Sequence, residues 1–596
     1  MKTKHHLLAG LALLAPLALQ SCLDSNYDLN DIDTTVRLKT TELTVPINLD
    51  VLTLDQVMEI EDDSEIVKDI DPETGKLVYA IKKDGTFDSD DITVAPFTVP
   101  SPNIEASEAT LALTTENLNQ LPVPSGTVGC YIVLPEDLEF KPFSSEVTDV
   151  DKSIHAIKGL GVETTLTTTI KTIGLEKFTN NMRFVNLILK FPAGLRASYT
   201  KGNATYPIDA NGYLDLSKTE LSPTGNGELR IVLDIDSIDA TTGNLTFDYG
   251  THTLTFADEI QIVQGTIAIK DVTPSSLPTD IQFILQPALS DIHAHSFSGT
   301  FAYDVEDFTI DPIDLSSLPD FLNQTGTKIW LENPQIYLSI TNPLNPYNVR
   351  FESGFQLTAT KDGQENAYRP DNGQLIEITS TGKDATGNYL PNEIVMAPHK
   401  PSHYYEGYTN PDYIAFSDLK NLLAETGDGI PNFIKVDVLN PNMPMQEVNN
   451  FRLGETLDPV HGTYAFYAPL QLSEGSCIAY TDTIDGWNDE DVDALTFTKI
   501  VVEFDATTDL PYEVELSIAP ITFDAVEITE SSKVMLAANA TDQPVKLTII
   551  GNVKHLDGLN IKAKVTSQRA DAMSPDMKLY MKNSKITLTG YYEKEL

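Results

Sequence analysis

An all-β fold is what this sequence predicts: tandem antiparallel β-sandwich domains, immunoglobulin-like in plan, with a few short helices. Three observations carry that expectation. Apolar and polar residues alternate with period two in short runs, which puts one face of a strand in a core and the other in water. The runs are rich in β-branched and aromatic residues and are bounded by Gly, Pro, Asn or Asp, the residues that turn a chain. Stretches with helical periodicity are few and short, and strands follow one another without the long helices that parallel crossovers use.

In chain order, the clearest strands are Val36-Arg37-Leu38-Lys39, Leu77-Val78-Tyr79-Ala80-Ile81, Phe184-Val185-Asn186-Leu187-Ile188-Leu189, Leu229-Arg230-Ile231-Val232-Leu233-Asp234-Ile235 and Ile500-Val501-Val502-Glu503-Phe504. Short helices are expected at Thr53 to Ile60, Ser316 to Leu322, Phe416 to Glu425 and Asp489 to Ala494. The pairs Asp84-Gly85, Asn211-Gly212, Asn372-Gly373 and Asp428-Gly429 suit hairpins, whose tight turns need the positive φ that Gly adopts freely. Leu277-Pro278 and Leu510-Pro511 each stand at a strand start, where Pro lacks only an N–H that the ladder does not yet use.

Internal repetition accompanies the strands. Residues 333–351 and 432–451 both read as an alternating strand, then Asn-Pro, a second Pro, Val and Phe, and each follows a short helix-like piece. Together with the two Leu-Pro segments, this suggests duplicated β-domains more than a short-period solenoid. A chain of 596 residues has room for about four domains at roughly 150 residues each. The expected divisions are a leader over 1–21, a tether over 22–40, and β-domains over 41–155, 156–300, 301–415 and 416–596.

Composition narrows the function. With 41% hydrophobic and 21% charged residues the chain has ample material for packed cores, which excludes wholesale disorder. Forty Lys and Arg stand against 87 Asp and Glu, a net charge of −47 that repels nucleic acid and anionic lipid surfaces. A nucleic-acid partner is therefore not expected.

The leader has a second message. Lys2 and Lys4 precede an apolar run from Leu7 to Leu19, the form of a secretory signal and too short for a spanning helix. It ends Leu19-Gln20-Ser21-Cys22. Those four residues resemble the lipobox of bacterial lipoproteins, with Gln20 standing where a small residue is usual. The resemblance implies cleavage before Cys22, acylation of that cysteine, and attachment to outer-membrane lipid. Cleavage removes Lys2 and Lys4 and no acids, taking the net charge from −47 to −49. In signal, lipobox, acidic polar tether and tandem β-domains the chain resembles the large envelope and surface lipoproteins of Bacteroidota-type bacteria.

No nucleotide-binding, zinc-protease or serine-hydrolase motif occurs, and no Cys-x-x-Cys; the two later cysteines, Cys130 and Cys477, sit in strand-like contexts and read as buried free thiols. His293 and His295 share one face of a strand, but a transition metal needs further ligands and none declares itself. The densest set of oxygen ligands is Asp482, Asp485, Asn488, Asp489, Asp491 and Asp493, a weak calcium candidate because its spacing departs from the EF-hand frame; no other cofactor is expected. Tyr404, Tyr405, Tyr408 and Tyr413, in a Pro-rich stretch, are candidates for a glycan-binding platform, although packing against their own sheet explains them equally. The expected function is a lipid-anchored envelope or surface protein with a binding or structural role toward a protein or glycan and no assignable catalytic residue. The alternatives are a glycan-directed hydrolase using paired carboxylates and a pilus-type subunit or assembly partner.

Overall fold

A computed structural model describes residues 35–46, 51–58, 60, 65–114, 118–120, 129–134, 139–305, 308–316, 318–424, 429–487, 495–523 and 526–595. The fold is all-β, with 58% of the described residues in strands and no helix of seven residues or more among them. One α-helical turn, Leu54–Met58, falls inside the helix expected at Thr53 to Ile60. The pieces expected at Ser316 to Leu322 and Phe416 to Glu425 form 3-10 turns, Asp320–Asn323 and Ser417–Asn421, too short to propagate a helix. The piece at Asp489 to Ala494 lies outside the described residues. All five strands read from alternation lie within strands of the structure.

The spine of the largest sheet is the 20-residue strand Ile154–Ile173. Leu160, Val162, Thr164, Leu166, Thr168, Ile170 and Thr172 are all buried, every second residue, so one face enters the core for most of its length. Glu228–Asp239 runs antiparallel along one edge, from Gly159↔Asp239 to Lys171↔Glu228. The other edge is shared by Asp280–Leu289 and Ile292–Phe301, which follow one another with a break at Ser290-Asp291. Ser290 closes that break: its Oγ accepts from Thr165 N at 2.9 Å and its carbonyl accepts from Thr164 Oγ1 at 3.1 Å.

Sheets draw strands from segments that the sequence places in different bodies. Phe97–Val99 and Gln446–Arg452 both pair with Ile292–Phe301. Leu77–Asp88 pairs with His461–Pro469, and Thr35–Pro46 with Lys578–Glu595. One apolar cluster accordingly takes residues from Met58 to Met573. The strand Thr35–Pro46 also begins inside the expected tether, where Val36 to Lys39 alternate.

A second cluster fills a C-terminal sandwich. One layer is ordered Thr35–Pro46, Lys578–Glu595, Leu495–Thr508, Gln543–Lys554, Glu527–Ser531, and the other Cys477–Ile484, Leu556–Thr566, Glu513–Thr522, Lys533–Leu536. Ile500, Val502 and Phe504 of the first meet Val514, Leu516 and Ile518 of the second in that core. On the outer side Glu503 lies between Lys546 at 2.7 Å and Lys585 at 3.1 Å, its direct neighbours on the two flanking strands. Hydrogen bonds from both lysines hold its carboxyl below the usual range.

The two similar segments share a local plan. In one, Gln335–Ile340 leads through Asn342-Pro343 to Phe351–Lys361; in the other, Phe433–Asn442, which contains Asn440-Pro441, leads to Gln446–Arg452. Val349, Phe351, Val448 and Phe451 are buried. Leu277-Pro278 and Leu510-Pro511 each stand just ahead of a ten-residue strand.

The structure corrects the expected hairpins: Asn211-Gly212 and Asn372-Gly373 are turns between strands that do not pair with each other, and Asp428 lies outside the described residues. Asp84-Gly85 sits inside the strand Leu77–Asp88, with Gly85 directly opposite Tyr464 and Phe87 opposite Gly462. A Cβ on Gly85 would collide with the Tyr464 ring, and one on Gly462 with the Phe87 ring. Each glycine is the bed for a cross-strand aromatic ring, which shields the bare backbone in return. Local turn preference loses to that burial, both rings being almost fully enclosed.

Two outcomes follow. Gly85→Ala is expected to cost about 1–3 kcal/mol by overpacking, read from the urea midpoint, and distinctly less in a Tyr464→Ala background; equal costs in the two backgrounds contradict the pairing. Glu503→Gln is expected to cost less than about 1 kcal/mol at neutral pH, because the pairs are half-exposed. Since the folded carboxyl is depressed, that contribution is present above the unfolded carboxylate range and is lost as pH falls through the folded value. The wild-type and variant stabilities therefore converge in acid.

Candidate functional site

The Tyr candidates come together. Asn392–Ala397 and Asp412–Ala415 are parallel neighbours, a pairing that requires a crossover, and residues 398–411 make it without a helix. The crossover lies over a sheet face of Ala80, Tyr337, Val395, Ala465 and Tyr467, against which Tyr404, Tyr405, Tyr408 and Tyr413 are partly buried. Tyr405 stacks on Tyr467 with centroids 5.0 Å apart, and Tyr408 lies 4.7 Å from Tyr337. Lys82, ion-paired to Asp69, places Nζ 5.0 Å from the Tyr405 centroid and 5.7 Å from that of Tyr467.

Hydrogen bonds fix the loop. Tyr405 N donates to Tyr337 Oη at 3.1 Å, and that hydroxyl donates to Gln335 Oε1 at 2.5 Å. Tyr413 Oη donates to the Ala397 and Pro398 carbonyls at 3.2 and 3.3 Å, and Ser402 N to Glu73 Oε1 at 2.8 Å. Burial pushes the hydroxyls of Tyr337, Tyr405, Tyr408, Tyr413 and Tyr467 above the usual phenol range, so none supplies a charge at neutral pH. The Tyr405 and Tyr408 rings, on which a sugar would stack, pack here against Tyr467 and Tyr337, and Tyr405 also against the Lys82 ammonium.

The oxygen-rich segment is only partly described. Asp482 lies near the end of the strand Cys477–Ile484, with its carboxylate accepting from Thr483 N at 2.9 Å, and Asp485 follows the strand, both exposed; Asn488, Asp489, Asp491 and Asp493 lie outside the described residues, as does Cys22. Among the described residues no group of three His, Cys, Asp or Glu side chains is placed to hold a metal. Cys130 and Cys477 are buried and free. His293 and His295 are both exposed, and His293 Nδ1 bonds Thr98 Oγ1 at 3.0 Å.

A different site emerges beside His295. Across five strands one register row reads Arg196, Ser237, Gly161, Ser296, Arg452. The adjacent row, one residue along each strand, reads Leu195, Ile238, Leu160, Phe297, Phe451, each at most 3% exposed. The second row is core; the first therefore faces outward, and its centre has almost no side chain. Gly159 and Gly194 extend this low floor, leaving a groove of about 610 Å³ that adjoins one of about 510 Å³ through His295, Ser296 and Asn450.

A bulge shapes the floor. The register shifts between Gly161 and Val162, so His295 has no partner on the spine. A Cβ on Gly161 would collide with Ser296 Oγ and lie 2.8 Å from His295 Cε1. Glycine there is what lets both side chains reach over the spine. Ser298 Oγ accepts from Asn450 N at 2.9 Å, holding Asn450 in a left-handed conformation at the rim.

Charge is distributed unlike the rest of the chain. The two concavities hold Lys158, Arg196 and Arg452 against Asp236, Asp239 and Glu455, an even count in a protein where acids outnumber bases 87 to 40. Lys158 pairs with Glu447 at 2.8 Å and Arg452 with Glu455 at 3.5 Å. Asp239 accepts from Thr241 N and Oγ1 at 2.9 and 2.6 Å. Arg196 has no ion-pair partner among the described residues, and Ser296 Oγ is buried with no hydrogen-bond partner. Sequence reasoning reached His295 but not the groove, whose one local signal is Lys158-Gly159-Leu160-Gly161: glycine at both outward positions beside the inward Leu160.

Asp258 is a carboxyl that burial pushes up, but it lies outside these concavities, beside Glu259. A third concavity of about 620 Å³ has its Arg369 and Asp371 engaged: Asp371 accepts from Ser417, and Arg369 Nε donates to Gln356 at 2.8 Å.

No protein-family model matches the chain, and no curated protein matches it. Among solved structures it is similar to a Parabacteroides distasonis protein inferred to be secreted, at 12% identity and a TM-score of 0.33, over 49% of this chain and 89% of that one. A likeness of that size carries no argument about what this chain does.

The tyrosine cluster makes a differential test. Among the described residues Tyr467 Oη is buried without a hydrogen-bond partner, whereas Tyr337 Oη has two. Tyr467→Phe is expected to leave stability unchanged or raise it, and Tyr337→Phe to lower it by about 1–2 kcal/mol, measured by denaturant unfolding. The reverse order would refute the hydrogen-bond assignment.

Proposed function

We propose that the chain is a lipid-anchored envelope protein, held at the outer membrane by acylated Cys22, whose β body has a binding role. The observation that carries the anchor is Leu19-Gln20-Ser21-Cys22 behind a basic, apolar leader. Acyl chains partition into a bilayer at about 0.8 kcal/mol per methylene, so two or three chains hold a protein of this size durably. Residues 22–34 reach at most about 45 Å when extended, which tethers the C-terminal sandwich, where Thr35–Pro46 pairs, close to the lipid surface. The binding role is supported by the polar groove, where among the described residues the buried Ser296 hydroxyl has no partner.

Metabolic labelling tests the anchor. Cells given tritiated palmitate are expected to label the wild-type chain and not Cys22→Ala, with the variant recovered in the soluble fraction. A wild-type chain without label, or label that persists in Cys22→Ala, would falsify the proposal. Protease treatment of intact cells then reports the face: digestion places the body outside, and protection places it in the periplasm.

A further inference from the structure

We propose that the groove over Gly161 binds a carboxylated sugar residue, with Arg196 and Ser296 receiving the carboxylate. This deepens the binding role above and does not depend on the acyl anchor. Ser296 is 2% exposed and its hydroxyl, beside Gly161 in the register row, has no hydrogen-bond partner among the described residues. A buried hydroxyl without a partner has lost its water without compensation, and a ligand oxygen restores the missing hydrogen bond on binding. Arg196 lines the same concavity without a counter-ion, in a chain whose surplus of carboxylates elsewhere leaves other bases at the groove paired. A guanidinium matches a carboxylate in two parallel hydrogen bonds.

The remaining lining specifies what carries the carboxylate. About 610 Å³ is far more than a bare anion fills and suits a molecule of sugar size. Ser237 and Ser298 hydroxyls, the Asn450 amide and the Asp236 carboxylate offer both donors and acceptors, which is what a ring of hydroxyls requires. The glycines act in two ways: at Gly159 a Cβ would meet only the Ile238 carbonyl, at 3.5 Å, so a ligand can approach the backbone of the spine there, and at Gly161 the missing Cβ makes room for Ser296 and His295.

Calorimetric titration of the full-length chain, purified from envelopes in detergent, tests this with glucuronate, glucose and acetate as probes. Glucuronate is expected to bind about tenfold or more tightly than either glucose or acetate. Arg196→Ala, at an exposed position, should weaken glucuronate by about tenfold, while Arg230→Ala, exposed on the neighbouring strand, should leave it unchanged. Ser296→Ala separates a binding role from a structural one: affinity falls while thermal stability holds or rises. Equal affinity for glucose, equal affinity for acetate, absence of glucuronate binding, or an Arg196→Ala variant of wild-type affinity each overturns the proposal. None of these outcomes touches the palmitate result, so the anchor and the groove fail separately.

Discussion

The side-chain alternation of the strand Ile154–Ile173 is the constraint on which the rest of the large sheet depends. Leu160 points into the core and Gly161 points out, and the same division is repeated at 238 and 237, 195 and 196, 297 and 296, 451 and 452. A slip of one residue in any of these pairings would turn an aromatic or aliphatic side chain to water and bring an arginine or serine inward. Burying Leu160, Leu195, Ile238, Phe297 and Phe451 contributes on the order of 10 kcal/mol at about 2 kcal/mol each. That exceeds the cost of one unpaired hydroxyl severalfold. The core thus fixes the register, and the register holds Ser296 in an environment it would not otherwise occupy.

Two regions of the molecule use polar and aromatic chemistry in opposite ways. Over the face containing Tyr337 and Tyr467, the crossover of residues 398–411 satisfies its own backbone through Asn333, Glu73, Glu393 and Tyr337, and the rings cover one another. That surface is closed. At the groove the small floor residues leave the sheet uncovered, and the buried Ser296 hydroxyl has no partner among the described residues. The contrast distinguishes a structural cover from a site open to a ligand.

Much of the fold was legible because strand burial is a local pattern: Phe184 to Leu189 and Leu229 to Ile235 alternate in the sequence as they do in the structure. Asp84-Gly85 was misleading because the residue that decides its conformation, Tyr464, is remote in the chain. The segments around Leu322 and Leu419 carry a helical pattern but form only 3-10 turns, and both leucines are buried in the core. The groove was illegible for the same reason as Gly85, since its row joins residues 161, 196, 237, 296 and 452. Tyr404, Tyr405, Tyr408 and Tyr413 stood out by proximity alone, and proximity does not say whether ring faces are free.

Hydrogen–deuterium exchange on the full-length chain, with and without saturating glucuronate, addresses the central claim most directly. Added protection is expected on peptides covering 158–161, 194–196, 236–239, 295–298 and 450–455, five stretches distant in the chain that meet at the groove. Protection confined to 398–413, or none on those five stretches, would contradict the account and return the tyrosine loop to consideration.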